Sequence, residues 1–487
     1  MQICGVPGHD SSIVEIKHNK VSYTKLERLL QIKHFGMRHA GYIDNHELYQ
    51  KILNYTRADF FKEFSPYKSK VILQGARDHH LSHALSVELF EPCDVHVVID
   101  GRGGDQWWSI WRNEIQVACG KIHDTFGSIG YIGAKEIKGD GLDIPGKLMG
   151  LQSYGKFRAE YYRSLEKWNL ERLGDPMNSQ FVSLLYMGKL PVETVRRLQS
   201  KARAIPHIFQ DTKHTGQDRL DWLHTMHLRA GEIVMSIFDR WVSPDETIGY
   251  SGGVAQNVVW NTQIKQRYPK LRIYPHCGDE GISLGNLYHF TRQRGLLHGY
   301  PFCQDDEAPL SEPSRDTIQK VAQYLREGLV VAWYQGHGEV GPRALGNRSI
   351  LMDPRITDGR DRINKVKNRE YYRPFGSSIL SEYAKEYFDL DFPNPYMLYL
   401  GHTQKNNLDA ITHVDGTSRA QTVEPGSGNF RLLLEDFYEL TGCPVLLNTS
   451  LNRAGKPIAG WISNAEDLFK ESSGIDVLVV GDQIHTR

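Results

Sequence analysis

Two stretches of this chain repeat one pattern, an apolar strand, a turn of Gly and Asp, and a second apolar strand. The first runs Gln2-Ile-Cys-Gly-Val, then Pro7-Gly-His-Asp-Ser, then Ser12-Ile-Val-Glu-Ile-Lys. A further turn at His18-Asn-Lys leads into Val21-Ser-Tyr-Thr-Lys. The second runs Asp94-Val-His-Val-Val-Ile-Asp, then Gly101-Arg-Gly-Gly-Asp, then Gln106-Trp-Trp-Ser-Ile-Trp. Short apolar runs bounded by Gly, Asp and Asn read as strands joined in hairpins. Two such hairpins about ninety residues apart predict a duplicated α/β domain whose tight turns face a shared cleft. Two unrelated surface hairpins are the alternative, and the pattern alone does not choose. A third glycine turn, Ser251-Gly-Gly, follows the strand Thr247-Ile-Gly-Tyr and precedes a helix. Glycine there lets the backbone approach a ligand closely, and a helix amino terminus favours an anion.

At 487 residues the chain exceeds the size at which one core stops growing, so two domains are expected. Between Gly295 and Asp316, Pro, Gly, Asp and Glu replace any hydrophobic period. That marks residues 296–315 as a linker between a domain of residues 1–295 and one of residues 316–487. The second domain restarts with a helix over residues 317–326 and the strand Leu329-Val-Val-Ala-Trp-Tyr. Further apolar runs at Pro444-Val-Leu-Leu-Asn and Val477-Leu-Val-Val make it α/β as well. Residues 168–224 are polar and weakly patterned.

Composition narrows the function classes. With 58 basic and 58 acidic side chains the net charge is zero, which favours neither a non-specific nucleic-acid binder nor a membrane-surface binder. The six cysteines are scattered without a CxxC pair, so they read as small buried hydrophobes in a reducing compartment. No run approaches the roughly 20 apolar residues that span a bilayer, and Met1-Gln-Ile-Cys-Gly does not read as a signal peptide. The expectation is a soluble, cytoplasmic protein with no membrane partner.

In Asp78-His-His-Leu-Ser-His-Ala-Leu-Ser, a helix puts His79 and His83 on one face, one turn apart, and His80 elsewhere. With 21 histidines, roughly one such pair arises by chance, so the spacing fits a metal site or an ordinary histidine pair. Carboxylates in the glycine turns, Asp100 and Asp279, would complete a two-His, two-carboxylate site suited to Fe(II), Mn(II) or Zn(II).

The segment Gly336-His-Gly-Glu-Val-Gly-Pro-Arg-Ala-Leu-Gly-Asn-Arg-Ser-Ile has the glycine gap of a phosphate loop but not its Lys-Ser/Thr pair, which excludes that motif. An anion pocket built from several segments fits better. Arg343 and Arg348 come from this loop, and Lys367 and Arg373 from Asn364-Lys-Val-Lys-Asn-Arg-Glu-Tyr-Tyr-Arg-Pro-Phe. Thr417 and Arg419 come from His413-Val-Asp-Gly-Thr-Ser-Arg. Guanidinium forks bind phosphate and carboxylate bidentately, and lysine adds a compact charge. Surface pairing of these arginines with Glu339, Asp353, Asp361 and Glu370 is the plainer reading.

These segments, in this order, resemble the nodulation-protein and antibiotic-tailoring O-carbamoyltransferases. The likeness also rests on Gly8-His-Asp-Ser-Ser, Leu26-Glu-Arg with Ile32-Lys-His, His79-His-Leu-Ser-His, Gly252-Gly-Val-Ala-Gln-Asn, Gly278-Asp-Glu-Gly and Pro444-Val-Leu-Leu-Asn-Thr-Ser-Leu-Asn, and runs from about residue 2 to 480. It implies an actin/hexokinase-type ATPase-fold domain like that of the tRNA threonylcarbamoyl-transferring enzyme, followed by a YrdC-like domain of the kind that makes threonylcarbamoyl-adenylate. It further implies that ATP and carbamoyl phosphate yield carbamoyl-adenylate, with Mg(II) accompanying ATP, and that an acceptor hydroxyl then takes the carbamoyl group. By the same likeness His79, His83, Asp100 and Asp279 would hold the metal, Fe(II) first. Gly252, Gly253, Asn257 and Lys147 would line the nucleotide site. His9 would be the base near the acceptor, with Asp10 and Lys33 close by. Lys367, Arg373, Arg343, Thr417 and Arg419 would hold carbamoyl phosphate and the phosphates of ATP.

One departure is Pro145-Gly146 before Lys147, where the family usually carries acidic residues, which leaves the ribose contacts open. The acceptor could be a sugar, an antibiotic alcohol, or a hydroxymethyl group on a nucleotide or DNA base. A homodimer fits the reading. Two rivals are a tRNA threonylcarbamoyl-type transferase and a non-enzymatic nucleotide- or sugar-binding regulator. The run Trp107-Trp-Ser-Ile-Trp reads as strand packing or as a stacking wall for a flat ring.

Overall fold

Strand pairing turns the two repeated stretches into two antiparallel meanders. The computed structural model describes residues 2–5, 10–17, 20–35, 78–103, 106–121, 144–165 and 217–487. The first meander is β1 (Gln2–Gly5), β2 (Ser12–Lys17) and β3 (Lys20–Lys25). The second is β4 (Val95–Gly103), β5 (Gln106–Arg112) and β6 (Ile115–Lys121). Each pairs in sequence order. Packing divides the chain into two units. One holds Met1–Arg77, Glu88–Glu91 and Tyr274–Arg487, and the other holds Asp78–Val87 and Pro92–Ile273.

In the first unit, eight strands form one mixed sheet in the order β12-β13-β11-β14-β10-β9-β15-β16. They are β9 (Val331–Tyr334), β10 (Arg348–Met352), β11 (Gly376–Leu380) and β12 (Gly401–His402), then β13 (Thr417–Val423), β14 (Val445–Ser450), β15 (Val477–Val480) and β16 (Gln483–Thr486). Strands β9, β10, β11 and β15 are buried at every residue; β9 and β15 therefore read as continuous apolar runs and not as alternation, while β10 and β11 also bury Arg348, Ser349, Ser377 and Ser378. The expected helix appears as α7 (Arg315–Arg326). Ser314 caps it by accepting the Thr317 N–H at 3.2 Å, and Ile318, Val321, Ala322 and Leu325 form its buried stripe. Against α7 packs α9 (Asn429–Thr441). Residues 304–307, inside the segment expected as a linker, carry fixed bonds, with Asp305 N donating to Tyr23 O at 2.6 Å and Gln304 N to Gly338 O at 3.1 Å.

The first meander belongs to this same unit. It leads into the short helix α1 (Leu26–Leu30), and α6 (Ile282–Thr291) packs across β1 and β2. The bonds are specific, since Ser12 Oγ donates to Glu280 O at 2.8 Å and Tyr23 Oη donates to the same carbonyl at 3.0 Å.

In the second unit the meander is extended by two parallel strands, β7 (Ile248–Ser251) and β8 (Leu271–Arg272), giving the order β6-β5-β4-β7-β8. Around the sheet lie α2 (His79–Glu88), α3 (Ile144–Leu151), α4 (Gln217–Trp241) and α5 (Val258–Arg267). Trp107, Trp108 and Trp111 are buried, so that run packs the sheet. Most of the weakly patterned stretch, residues 168–216, lies outside the described residues, and its end opens α4. No helix among the described residues is long and apolar enough to cross a membrane.

Candidate functional site

The register of the eight-stranded sheet brings the basic segments to one end. Gly376, at the start of β11, pairs with Arg419 of β13 and with Asn448 of β14, while Ser450 at the end of β14 pairs with Ser349 of β10. Lys367 is the last residue of α8 (Gly359–Lys367) and is 4% exposed. Its ammonium donates to Ser450 Oγ at 3.1 Å, to Ser450 O and to Asn452 Oδ1.

Positive charge accumulates here. Burial, then the charges of Arg369, Arg373 and Lys33, pushes Lys367 well below the usual lysine range. Burial, then Arg343, Arg369 and Arg373, does the same to Arg419. Burial and the Arg373 charge lower Arg343 to about 10, while the Cys277 thiol works the other way. Arginine keeps its proton in proteins, so this is a cluster of crowded cations that an anion would relieve. Among the described residues, the buried Nε of Arg343 and that of Arg419 have no hydrogen-bond acceptor. Arg373 Nη1 lies 3.5 Å from a Glu370 carboxylate oxygen. Thr417 opens β13 two residues before Arg419, its hydroxyl donating to Asp415 Oδ1 at 2.6 Å.

The loop carrying Arg343 is fixed from beneath. Glu339 is fully buried, and one of its oxygens accepts the N–H groups of Leu345, Asn347 and Arg348 at 2.7, 3.1 and 3.2 Å. Gln421 Nε2 donates to Leu345 O at 2.8 Å, and its Oε1 accepts from Ser378 Oγ and Asn448 Nδ2. Arg348, grouped with the pocket from the sequence, turns its guanidinium to the loop itself. Its guanidinium donates to the carbonyls of Gln335, Gly336 and Glu307, pairs with Asp306 at 3.2 Å and lies 3.6 Å over the Tyr334 ring. It is a fully buried anchor of the loop. Spacing could not distinguish it from Arg343.

In the same unit, Asp10 closes the first hairpin turn with a φ of 52°. Its carboxylate meets His34 Nδ1 at 3.1 Å and Lys25 Nζ at 3.4 Å. Lys25 also pairs with Glu27 at 3.0 Å, and Glu27 accepts the His34 N–H at 2.9 Å, closing a ring of charges. Lys33 lies near enough to act on Lys367. His9 lies outside the described residues. Asp279 opens a 3-10 turn, Asp279–Gly281, and is buried in this unit.

The second unit gathers His79, His83 and Asp100. Asp78 caps α2 by accepting the N–H groups of His80 and Leu81 at 2.8 and 3.2 Å, which sets the two histidines one turn apart. His79 Nε2 is 3.1 Å and His83 Nε2 4.0 Å from one Asp100 oxygen, and the rings are 4.8 Å apart. His80 turns away to Ser109 Oγ at 2.7 Å. Burial raises Asp100, but the His79 hydrogen bond and the charges of His83, His79 and His80 outweigh it and hold the carboxyl well below the usual range. Two imidazoles and an ionised carboxylate, with ligand atoms within 4.8 Å of one another, fit a divalent ion.

The other Asp100 oxygen accepts the Gly253 N–H at 2.9 Å, joining the glycine turn after β7 to the end of β4. Gly252 has a φ of 94°, and a Cβ there would lie 2.2 Å from Ile99 O, so only glycine fits. Asn257 caps α5, accepting from Val259 N at 3.2 Å and Trp260 N at 3.3 Å, and its amide meets His227 Nε2 at 3.1 Å. Lys147 is buried in α3. Residues with a part in either cluster that the sequence did not single out are Arg369, Ser450, Asn452, His34 and His227. Each is recognisable only by what it touches.

A family model described as "Carbamoyltransferase C-terminus" matches residues 322–487. Nodulation protein NolNO of Sinorhizobium fredii is 30% identical over 83% of this chain and 63% of its own length. An uncharacterized protein of Synechocystis sp. is 30% identical over 81% of this chain and 72% of its own. The 3'-hydroxymethylcephem-O-carbamoyltransferase of Amycolatopsis lactamdurans is 38% identical over 49% of this chain and 48% of its own. This chain thus spans less than two thirds of NolNO and about half of the cephem enzyme. Among solved structures, component A of (R)-2-hydroxyglutaryl-CoA dehydratase from Acidaminococcus fermentans covers 59% of this chain and 97% of its own at a TM-score of 0.31 and 12% identity, too loose an overlap to assign a fold. The match over residues 322–487 and the sequence shared with these relatives across most of the chain place it in the carbamoyltransferase family to which the nodulation proteins and the cephem O-carbamoyltransferases belong.

Proposed function

We propose that the chain is an ATP- and carbamoyl-phosphate-dependent O-carbamoyltransferase, built on an actin/hexokinase-type ATPase fold and a YrdC-like sheet domain. The observation that carries this is the crowded cation cluster of Arg343, Lys367, Arg369, Arg373 and Arg419, which calls for a multiply charged anion. Carbamoyl phosphate and the ATP phosphates supply that charge. In the first step water cleaves carbamoyl phosphate to carbamate and inorganic phosphate. A carbamate oxygen then attacks the α-phosphorus of ATP, and pyrophosphate leaves to give carbamoyl-adenylate. The guanidinium forks hold the transferring phosphates and the charge that builds on the leaving pyrophosphate. Lys367, aligned by Ser450 and Asn452, adds a fixed donor.

In the second step an alcohol attacks the carbamoyl carbon and AMP leaves, giving the O-carbamoyl product. His9 and the Asp10–His34 pair are the groups for the acceptor proton in the first-hairpin region. His79, His83 and Asp100 would hold the divalent ion, with Asp279 as the fourth residue the family resemblance supplies. Such an ion supplies Lewis-acid polarisation of an acyl or phosphoryl oxygen. The acceptor is a small-molecule or nucleotide alcohol. The test incubates the protein with ATP, carbamoyl phosphate and candidate alcohols, following phosphate, pyrophosphate and a mass gain of one carbamoyl group. Phosphate and pyrophosphate release that depends on both substrates supports the reading. Turnover that instead needs threonine and bicarbonate, or no ATP consumption at all, refutes it.

A further inference from the structure

We propose that Arg28 of α1 is a positioning residue for the loop that carries Arg343, so that the amino-terminal segment sets the affinity of the phosphate pocket. This deepens the function proposed above and rests on it. Arg28 is 1% exposed, and its Nη2 donates to Gly341 O at 2.7 Å, two residues before Arg343. Gly341 has a φ of 92°, and a Cβ there would lie 2.3 Å from Pro275 O. The loop backbone is therefore pinned at one glycine between Pro275 and Arg28. A Cβ on Gly338 would lie 2.5 Å from Asp306 Oδ2 and 3.0 Å from Arg28 Nη1, so the same guanidinium fills the space beneath the start of the loop.

On its other side α1 is held by the segment after β14. Trp461 Nε1 donates to Leu29 O at 2.9 Å, Gln31 Nε2 donates to Ile458 O at 3.3 Å, and a Cβ on Gly460 would meet Arg28 O at 2.6 Å. Beyond α1 the chain brings Lys33 within electrostatic reach of Lys367. The loop that carries Arg343 thus rests, through Arg28, on a helix that follows directly from the first meander. A guanidinium reaches one carbonyl with one nitrogen and fills space with the other; lysine offers one compact head on a flexible stem and cannot do both.

The experiment uses the full chain and three variants, Arg28→Lys, Arg28→Met and Trp461→Phe. The third removes a bond from the same helix without touching the loop. KM and kcat are measured for phosphate release from carbamoyl phosphate in the presence of ATP, and inorganic phosphate binding is measured by calorimetry. Both Arg28 variants are expected to raise KM and the phosphate Kd by about tenfold or more, with kcat within about threefold of wild type. Trp461→Phe is expected to lower the unfolding temperature while leaving KM and Kd unchanged. A folded Arg28→Lys or Arg28→Met protein with wild-type phosphate affinity overturns the proposal, as does an equal rise in Trp461→Phe. If Arg28→Met does not fold, Arg28→Lys decides. If wild type binds phosphate but releases none from carbamoyl phosphate, the proposed function fails, and the binding comparison still tests Arg28. A wild type that binds no phosphate overturns both.

Discussion

Arg369 and Arg373 stand four residues apart in one loop with different tasks. Arg369 Nη2 donates to the carbonyls of Arg373 and Pro374, each at 2.8 Å, and its guanidinium lies 4.0 Å from the Phe375 ring centre. It shapes the turn that presents Arg373, whose guanidinium approaches Glu370 at 3.5 Å. Arg373→Lys keeps a charge and loses the fork, so phosphate release is expected to fall by about 10- to 100-fold with the fold intact. The check is the initial rate of phosphate release beside a circular dichroism spectrum. Of the two, only Arg373 was legible beforehand, because a Gly- or Pro-flanked basic residue is a sequence pattern. The duty of Arg369 depends on a ring and two carbonyls, which spacing does not encode. Arg348 and Glu339 show the same limit. Both read as charged residues of a polar loop, yet both are fully buried and tie that loop together.

The glycine turn between β7 and α5 shows what an element adds. Its need for glycine was readable from Ser251-Gly-Gly, and the reason is the 2.2 Å approach a Gly252 Cβ would make to Ile99 O. Gly252→Ala must move the turn away from β4, lengthening the bond from Gly253 N to Asp100. The expected cost is about 1–3 kcal/mol or more in stability, together with weaker divalent-ion binding, read by denaturant unfolding and metal titration. The cap of the next helix was not readable as such. Asn257 was expected at the nucleotide and is found holding the first turn of α5. Beside it His227 stacks on Trp260 at 4.7 Å, and burial with the nearby His224 charge lowers it to about 3 from a usual 6.5. The sign follows from proton counting. Between those values the unfolded chain binds a proton that the folded one refuses, so stability rises with pH across that window. Unfolding free energy should therefore fall as pH drops below about 6.5, at up to about 1.4 kcal/mol per pH unit from this group. His227→Gln should flatten that part of the profile; an unchanged slope would mean that His227 protonates in the folded state.

At the scale of the whole chain, the two charge systems lie in different units. The cations around Arg343 belong to the unit with Tyr274–Arg487, while His79, His83 and Asp100 belong to the other. Strands and hairpins were legible here because a period of two and apolar runs are local properties. Which segments pack together is set by non-local pairing, so composition could not show that the first meander shares a unit with the eight-stranded sheet, or that Asp305 and Gln304 are bonded to β3 and the loop that carries Arg343. The division by unit predicts that the half-reactions separate on mutation. Arg373→Ala should abolish phosphate and pyrophosphate release while the protein still holds about one divalent ion per chain. His79→Ala should lose the ion and keep carbamoyl-phosphate cleavage, while transfer to any acceptor falls by about a hundredfold or more. Chelation of the wild type should reproduce the His79→Ala pattern, and adding back Fe(II), Mn(II) or Zn(II) should restore transfer. Phosphate, pyrophosphate, carbamoylated product and bound metal are assayed separately for each protein. Normal transfer by folded, metal-free His79→Ala would remove the metal centre from the reaction, and wild-type adenylate formation by Arg373→Ala would remove the cation cluster.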